Sequence, residues 1–279
     1  MMREAAVDGP PYETLTARNA GYVSEDLQRQ IRTTRLLVAG CGIGSTIAET
    51  CVRLGFQHLT LVDKDRVEAH NLNRQNFTAA DIGAQKVHAL AKRLSAINPS
   101  ASIRAVDDWV SRENAEAFVD GADIVFDTID FLSLDAIVAL HDAGLAQGKP
   151  IIAPLSAGWG AAALYFPPGS TCSFRTIFGL PATGPVAQMS YVDQFMRLID
   201  RMEPELSADI VLALRKTLTR MDDGTPCPAP HVSVGSASVG SLAAMMAVRV
   251  LRGDPITPAP RMIFLNMDRY CTTPGIDTL

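Results

Sequence analysis

The sequence predicts an α/β protein whose sheet is mainly parallel. The first half of the chain alternates short runs of β-branched residues with longer helical patterns, which is typical of βαβ units. A glycine-rich segment, Gly40-Cys41-Gly42-Ile43-Gly44, separates the first of these runs from the first helical pattern. In the second half, a short apolar run at 161–166 favours an antiparallel strand. We therefore expect a parallel sheet that is continued by antiparallel strands.

The first half contains five predicted strands and three predicted helices. The second helix is expected to end at Asn98, because Pro99 disfavours helical geometry in the residue before it. The strands are predicted at 35–39, 58–62, 102–106 and 123–126, with a fifth that begins at Pro150, and the helices at 45–54, 84–97 and 133–146.

The second half is more helical than the first. Residues 189–220 have an amphipathic pattern, in which Val192, Phe195, Met196 and Ile199 fall on one face of a helix. A proline-rich link at 226–230 leads into a helix of small residues at about 232–251, and 261–265 predicts a closing strand. We interpret residues 1–279 as a single domain with a helical insertion at about 189–220.

Composition limits the classes of protein that fit. The formal net charge of −5 argues against broad binding to nucleic acid or to anionic membranes. No run approaches the roughly 18 uninterrupted apolar residues of a membrane span, and the N-terminus does not resemble a signal peptide. The five cysteines are scattered, and no two form a C-x-x-C pair. A reducing, cytoplasmic setting without structural zinc is therefore expected.

The glycine-rich segment indicates a nucleotide site. Gly40, Gly42 and Gly44 between a strand and a helix allow a tight turn and bring backbone N–H groups close to a phosphate. The third glycine comes one residue earlier than in G-x-G-x-x-G. The alternative is a turn that needs glycine for packing alone.

Polar residues after the second strand narrow the choice of nucleotide. Asp63 follows that strand at the spacing of a ribose-binding carboxylate, which suits an NAD-dependent dehydrogenase equally well. The cluster that follows suits a triphosphate better, because an arginine and a lysine can neutralise phosphate oxygens. A solvated, charged loop is the alternative interpretation. The cluster consists of Asp65, Asn71, Asn73, Arg74, Gln75 and Lys86.

These motifs carry a family resemblance. The pattern D-x-D-x-V at 63–67, then N-L-N-R-Q at 71–75, after a glycine turn and before a lysine, resembles the ThiF/MoeB/HesA adenylyltransferases, relatives of the ubiquitin-activating enzymes. The resemblance extends from about Arg18 to Asp130 and resumes after Pro230. It implies a Rossmann-like ATP-binding fold and an ATP- and Mg²⁺-dependent enzyme.

The resemblance also assigns roles to individual residues. It implies that Asp63 holds the ribose and that Asn71, Arg74 and Lys86 contact the phosphates. Asp130 occupies the position of the family's Mg²⁺-binding aspartate. Arg18 matches an arginine that reaches into the partner subunit's site, so the resemblance implies a homodimer with composite sites.

Three features depart from the family pattern. The glycine turn is one residue short, Phe131 replaces the usual asparagine after Asp130, and the zinc-binding cysteine pairs are missing, so no zinc is expected. Some relatives carry the acyl group on a cysteine. Cys227, between two prolines, and Cys172 are the candidates, with inert structural cysteines as the alternative.

The resemblance implies an enzyme that activates a carboxylate as an acyl adenylate and releases pyrophosphate. The carboxylate can belong to the C-terminus of a ubiquitin-like sulfur-carrier protein, to a peptide or to a small acid. A tRNA-modifying ATP-dependent dehydratase of the same family is an alternative, although the net charge disfavours it. A partner-binding pseudoenzyme subunit is a further alternative.

Overall fold

The structure is a computed structural model that describes residues 9–186, 191–222 and 229–272. The helices are α1 (Tyr12–Leu15), α2 (Glu25–Thr33), α3 (Gly44–Leu54), α4 (Lys86–Ile97), α5 (Ala115–Asp120), α6 (Leu134–Ala146), α7 (Phe174–Phe178), α8 (Tyr191–Met202), α9 (Ala208–Asp222), α10 (Ser233–Arg252) and α11 (Met267–Thr272). The strands are β1 (Arg35–Ala39), β2 (His58–Val62), β3 (Ser102–Val106), β4 (Ile124–Asp127), β5 (Ile151–Ala157), β6 (Gly160–Phe166) and β7 (Ile263–Asn266).

Within these residues, the strands form one seven-stranded sheet in the order β3-β2-β1-β4-β5-β6-β7. The strands from β3 to β5 pair in parallel, whereas β6 pairs antiparallel with both β5 and β7. The predicted parallel sheet with an antiparallel continuation is confirmed.

The sheet is buried on both faces, as the apolar β1 strand requires. Leu36 and Val38 belong to one apolar cluster, and Leu37 and Ala39 belong to the other. Alternate side chains of a strand point to opposite faces, so a continuous apolar run needs cover on each side. Helices α2, α3, α4 and α10 contribute to the first cluster, and α5 to α9 contribute to the second.

The described part of the predicted helical region at 189–220 contains α8 and α9, and residues 189 and 190 lie outside the described residues. Val192 and Ile199 of α8 are buried, and Phe195 and Met196 are half-buried against the same cluster, so the predicted apolar face packs inward. The interpretation of the whole chain as one adenylation domain, with this segment as an insertion, stays a prediction.

Helix α10 is long and apolar enough to cross a membrane by length and composition, with a mean hydropathy of 1.5. It packs against α3 and β6, and 56% of its most apolar window is buried. Gly240 lies at the contact with α3, where a Cβ would be 2.9 Å from the carbonyl oxygen of Thr46. Core packing therefore accounts for the apolar character of α10.

Strand order reverses at β1, which lies between β2 and β4. In open α/β sheets, the carboxyl ends of the strands on either side of such a switch point form a crevice that binds ligands. Residues that follow β1, β2 and β4 therefore meet at this edge of the sheet.

Candidate active site

A cavity of 1180 Å³ opens at this edge of the sheet, and it brings together most of the residues that the motifs single out. Nine of them line it, namely Gly40, Gly42, Asp63, Asp65, Asn71, Arg74, Gln75, Lys86 and Asp130.

The three glycines of the turn have different physical roles. Gly40 has φ +93°, and a Cβ there would overlap the carbonyl oxygen of Thr128. A Cβ on Gly44 would lie 2.6 Å from Thr128 Oγ1, so both positions require glycine for close packing. Gly44 begins α3 and does not line the cavity. Gly42 lines it, and the N–H groups of Gly42 and Ile43 have no partner in the described chain. These two N–H groups, at the start of α3, are suited to bind an anion.

Asp63 is fixed by two backbone N–H groups. Its Oδ2 accepts from Cys41 N–H at 2.6 Å, and its Oδ1 accepts from Asp65 N–H at 2.7 Å. Burial raises the pKa of Asp63, and the nearby positive charge of Lys86, together with these two hydrogen bonds, opposes that rise. The carboxylate is thus held between the glycine turn and the polar cluster, with lone pairs left to accept from hydroxyl groups.

Lys86 begins α4 and is buried. Its Nζ lies 2.8 Å from Asp65 Oδ2, and its backbone N–H donates to Asp65 O at 2.9 Å. The ion pair holds the ammonium group at the wall of the cavity. A bound anion would therefore share Lys86 with Asp65 or displace that carboxylate.

Asp130 lies near enough to Arg74 for its carboxylate to affect the pKa of the guanidinium. Burial lowers the pKa of the Arg74 guanidinium, and the carboxylate of Asp130 opposes this shift. Arg74 Nη1 donates to His70 O at 2.8 Å and to Asn73 Oδ1 at 2.9 Å. Its Nε and Nη2 donors have no partner among the described residues, so they are available to a phosphate.

Some amide side chains of the cluster hold the local structure, and another is available to bind a ligand. Asn71 is buried, and its Oδ1 accepts from Glu68 N–H at 2.9 Å, which caps a short 3-10 turn. Asn73 does not line the cavity, and its Nδ2 donates to His231 O at 3.2 Å. Gln75 lines the cavity and is buried, yet its Oε1 has no partner within the described chain. A buried acceptor without a partner is costly, so Gln75 Oε1 is suited to receive a hydrogen bond from a ligand.

Asp130 follows β4 and is exposed within the cavity. One carboxylate oxygen, Oδ1, accepts from Leu132 N–H at 3.0 Å, and the other has no partner in the described chain. Among the described residues, no three of His, Cys, Asp and Glu cluster as a metal site. A single carboxylate fits Mg²⁺, which keeps several waters and is commonly bound by one or two carboxylates with phosphate oxygens.

The end of β4 is fixed by a buried pair that the sequence did not indicate. Asp127 Oδ2 lies 2.8 Å from His141 Nε2, and both residues are buried. Asp127 Oδ1 accepts from Ile129 N–H at 3.2 Å. This pair holds the segment that leads to Asp130.

His231 is a further cavity residue that the sequence reasoning missed as part of the site. Burial lowers its pKa to about 4, positive Arg74 acts in the same direction, and Asp130 opposes both. The imidazole is therefore neutral near pH 7 and adjoins the Arg74 and Asp130 charges. The sequence around His231 offers only the preceding proline-rich link as a sign of function. Its proximity to Arg74 could not be predicted, because Arg74 lies far away in the sequence.

Besides Gly44 and Asn73, three predicted site residues lie apart from the cavity or outside the described chain. Arg18 is exposed in a 3-10 turn at Ala17–Asn19 and does not line the cavity. Cys172 is half-buried in the loop between β6 and α7, away from the cavity, and burial raises the pKa of its thiol. Cys227 lies outside the described residues. The roles of all three stay predictions.

The far end of the cavity is apolar. Helices α8 and α9 form one wall there, next to the segment that follows β4. The residues that they contribute are Val192, Phe195, Ile199, Met202, Leu214, Thr217, Leu218 and Met221. The cavity therefore joins the polar residues near the glycine turn to an apolar wall.

Comparisons with known proteins show which sequences and folds the chain resembles. The family model described as "ThiF family" matches residues 16–271. The chain is 35% identical over 112 residues to a tRNA threonylcarbamoyladenosine dehydratase of Haemophilus influenzae, covering 39% of this chain and 42% of that protein. It is 27% identical over 163 residues to the adenylyltransferase and sulfurtransferase UBA4 of Yarrowia lipolytica, covering 58% and 40%.

A solved structure is similar in fold. The E. coli tRNA N6-threonylcarbamoyladenosine dehydratase TcdA, in complex with ATP, has a TM-score of 0.60 and 20% identity, covering 86% of this chain and 95% of that one. This likeness establishes a shared fold. The chain spans less than half the length of the curated relatives that it matches.

Proposed function

Because the chain belongs to the ThiF family, whose model spans residues 16–271, we propose that it is an ATP- and Mg²⁺-dependent adenylyltransferase. It activates a carboxylate as an acyl adenylate and releases pyrophosphate. One observation carries the proposal: a single cavity joins the glycine turn, Asp63, Arg74, Lys86 and Asp130.

The polar end of the cavity supplies a nucleotide-binding surface. The phosphates bind to the free N–H groups of Gly42 and Ile43 and to the side-chain donors of Arg74 and Lys86. Asp63 accepts from the ribose hydroxyls. Asn71 holds the turn that carries Arg74, and Gln75 accepts from the nucleotide. Asp65 sets the position of Lys86.

The reaction needs charge neutralisation more than proton transfer. A carboxylate oxygen of the acid forms a bond to the α-phosphorus, the bond from that phosphorus to the bridging oxygen breaks, and pyrophosphate leaves with the electron pair. Asp130 would hold Mg²⁺, which would supply positive charge to neutralise the phosphates. The acid is already ionised near neutral pH, so no general base is required, and Arg74 and Lys86 stabilise the developing charge.

The proposal includes a homodimer in which Arg18 of one subunit completes the site of the other. Arg18 is exposed and lies outside the cavity of its own chain, as such a role requires. We also propose a cytoplasmic location, which agrees with the four described cysteines forming no disulfide. The partner-binding pseudoenzyme is disfavoured, because the charged residues of the site lie in one cavity.

A tRNA dehydratase is the second candidate function. Similarity to the Haemophilus influenzae enzyme over 39% of this chain supports it, and the net charge of −5 argues against a broad nucleic-acid surface. An NAD-dependent dehydrogenase is disfavoured by the cationic pair of Arg74 and Lys86 at the phosphate end.

Hydroxylamine trapping tests the proposal. An acyl adenylate reacts with hydroxylamine to give a hydroxamate and AMP, so the adenylyltransferase should form both in amounts that depend on ATP, Mg²⁺ and a carboxylic acid. AMP formation that depends on tRNA instead would favour the dehydratase. Formation of ADP, or no nucleotide turnover with any acid or tRNA, would contradict both candidates.

A further inference from the structure

The cavity is large for a pocket that binds a small ligand. Its volume of 1180 Å³ exceeds the roughly 300–1,000 Å³ typical of pockets for small ligands. The nucleotide residues occupy one end, and α8 and α9 form the wall of the other. The apolar end therefore offers room for a second ligand beside ATP.

This wall offers no charged partner to that ligand. Among the described cavity-lining residues of α8 and α9, none carries a charge. The one hydroxyl, on Thr217, donates to Ala213 O of its own helix at 3.0 Å. Charged and amide groups would lose hydration here without gaining partners, whereas an apolar group would gain free energy from burial. The residues that form the surface include Val192, Phe195, Ile199, Leu214, Leu218 and Met221.

The apolar surface begins next to the proposed reacting centre. Phe131, which follows Asp130, lines the cavity and packs against Phe195 of α8, with ring centroids 3.8 Å apart. A molecule whose carboxylate lies at the Asp130 and Arg74 end therefore meets apolar side chains at once.

Given the proposed adenylation, we propose that the acyl substrate is a free carboxylic acid with an apolar tail. Its carboxylate lies beside Asp130 and Arg74, and its tail lies between α8 and α9. The α8–α9 segment is thus the element that selects the substrate.

The C-terminal tail of a carrier protein fits this surface less well. An extended peptide brings one N–H and one C=O group for each residue, and burial of these groups without partners is costly. The α8 and α9 residues described at the wall provide no side-chain N–H or O–H donor other than Thr217, whose O–H already donates to Ala213 O. A free acid with an apolar tail has no such groups to satisfy.

A chain-length series tests the inference. ATP binding is measured first by calorimetry, then binding of butyrate, hexanoate, octanoate and decanoate with a non-hydrolysable ATP analogue, and then acid-dependent pyrophosphate exchange. Each added methylene should tighten binding about four-fold until the apolar end is full. A synthetic peptide that ends in Gly-Gly, and a carrier protein with the same ending, serve as the competing substrates.

Two substitutions on α9 test whether the tail of the acid binds at this wall. Leu214→Gln alters the cavity wall, whereas Leu212→Gln alters an exposed position two residues earlier. Leu214→Gln should weaken decanoate binding about ten-fold or more while ATP affinity is unchanged, and Leu212→Gln should change neither. If Leu214→Gln does not fold, Leu214→Phe provides the same test, because a narrower cavity should shorten the longest acid that binds.

The outcomes separate this inference from the proposed function. If ATP binds and only Gly-Gly-ended chains support exchange, or if no acid binds more tightly as its tail lengthens, the inference is overturned although ATP binding stands. Equal acid binding by the Leu214 and Leu212 variants would overturn it as well. If ATP does not bind, the proposed function fails and the inference fails with it.

Discussion

The rings of Phe131 and Phe195 lie with their centroids 3.8 Å apart and their planes at 66°. Phe131 follows Asp130, the proposed Mg²⁺ ligand, and Phe195 belongs to α8. Phe131 also contacts Phe178 of α7, at 6.5 Å between centroids. Phe131, where the sequence departs from the family pattern, therefore packs α8 against the segment that carries Asp130.

This aromatic contact predicts that loss of Phe195 affects both stability and activity. Phe195→Ala should lower the free energy of unfolding by about 2 kcal/mol, because it leaves a cavity and removes an aromatic pair at a half-buried position. Pyrophosphate exchange should also fall, because Phe131, the residue after Asp130, loses its packing partner. Chemical denaturation and exchange assays measure the two effects. Arg201→Ala, an exposed position on α8, is the control and should change stability by less than about 0.5 kcal/mol.

We expect Lys86 to influence how ATP binding depends on pH, through the pKa of Asp63. Its positive charge holds down the pKa of Asp63, which burial raises. In the proposed site the ionised form of Asp63 accepts from the ribose hydroxyls of ATP, so ATP binding should weaken as pH falls through the pKa of this carboxyl. In Lys86→Met the opposing charge is gone, so the midpoint should move to higher pH, in addition to a loss of affinity at every pH.

Calorimetric titration of ATP across a pH series measures this midpoint. Lys64→Met, which removes an exposed lysine next to Asp63, is the matched control, and its midpoint should stay closer to that of the unchanged protein. A midpoint that moves to lower pH in Lys86→Met would contradict the assigned coupling.

Because of His231, we expect the free energy of unfolding to fall on acidification. Its pKa is 6.5 when unperturbed and about 4 in the folded chain, so the unfolded chain binds more protons between these values. The free energy of unfolding should therefore decrease as pH falls from 6.5 to 4, by up to about 3 kcal/mol from this residue. His231→Gln should flatten that dependence, and the exposed His88→Gln should leave it in place. Urea denaturation at successive pH values measures it, and equal slopes in all three proteins would refute the assignment.

The proposed homodimer predicts complementation between two inactive variants. Arg18→Ala and Arg74→Ala should each lose exchange activity. When they are mixed and allowed to exchange subunits, a heterodimer contains one site with both arginines, so about a quarter of the original sites should be restored. Exchange assays on the mixture, with light scattering to establish the dimer, measure the outcome. No recovery in a confirmed heterodimer would show that Arg18 does not act in the partner's site.

Much of the fold could be predicted from local sequence patterns. The predicted strands at 35–39, 58–62 and 102–106 coincide with β1, β2 and β3, because β-branched and leucine-rich runs of this length form strands buried in a parallel sheet. Asn98 ends α4 before Pro99, as the steric argument requires. Helix α2 was not identified from the sequence, although Ser24 caps it by accepting from Leu27 N–H.

The candidate site was less predictable than the fold. Motif residues such as Asp63 and Arg74 could be predicted, because they lie close together in the sequence at a spacing that carries information. His231 and the apolar wall of α9 were not linked to that site, since tertiary packing alone brings them together. The structural roles of Gly44 and Asn73 also depend on distant contacts, with Thr128 and with His231.

Mg²⁺-dependent exchange of labelled pyrophosphate into ATP tests adenylation most directly. The assay covers carboxylic acids with apolar tails, peptides and Gly-Gly-ended carrier proteins, with Asp130→Ala and Arg74→Ala as the loss variants and Arg104→Ala, an exposed position on β3, as the control. We predict exchange that depends on one class of acid, falls about 100-fold or more in both loss variants and persists in the control. A protein that binds no ATP, or exchange that is equal in all four proteins, would contradict the adenylyltransferase assignment.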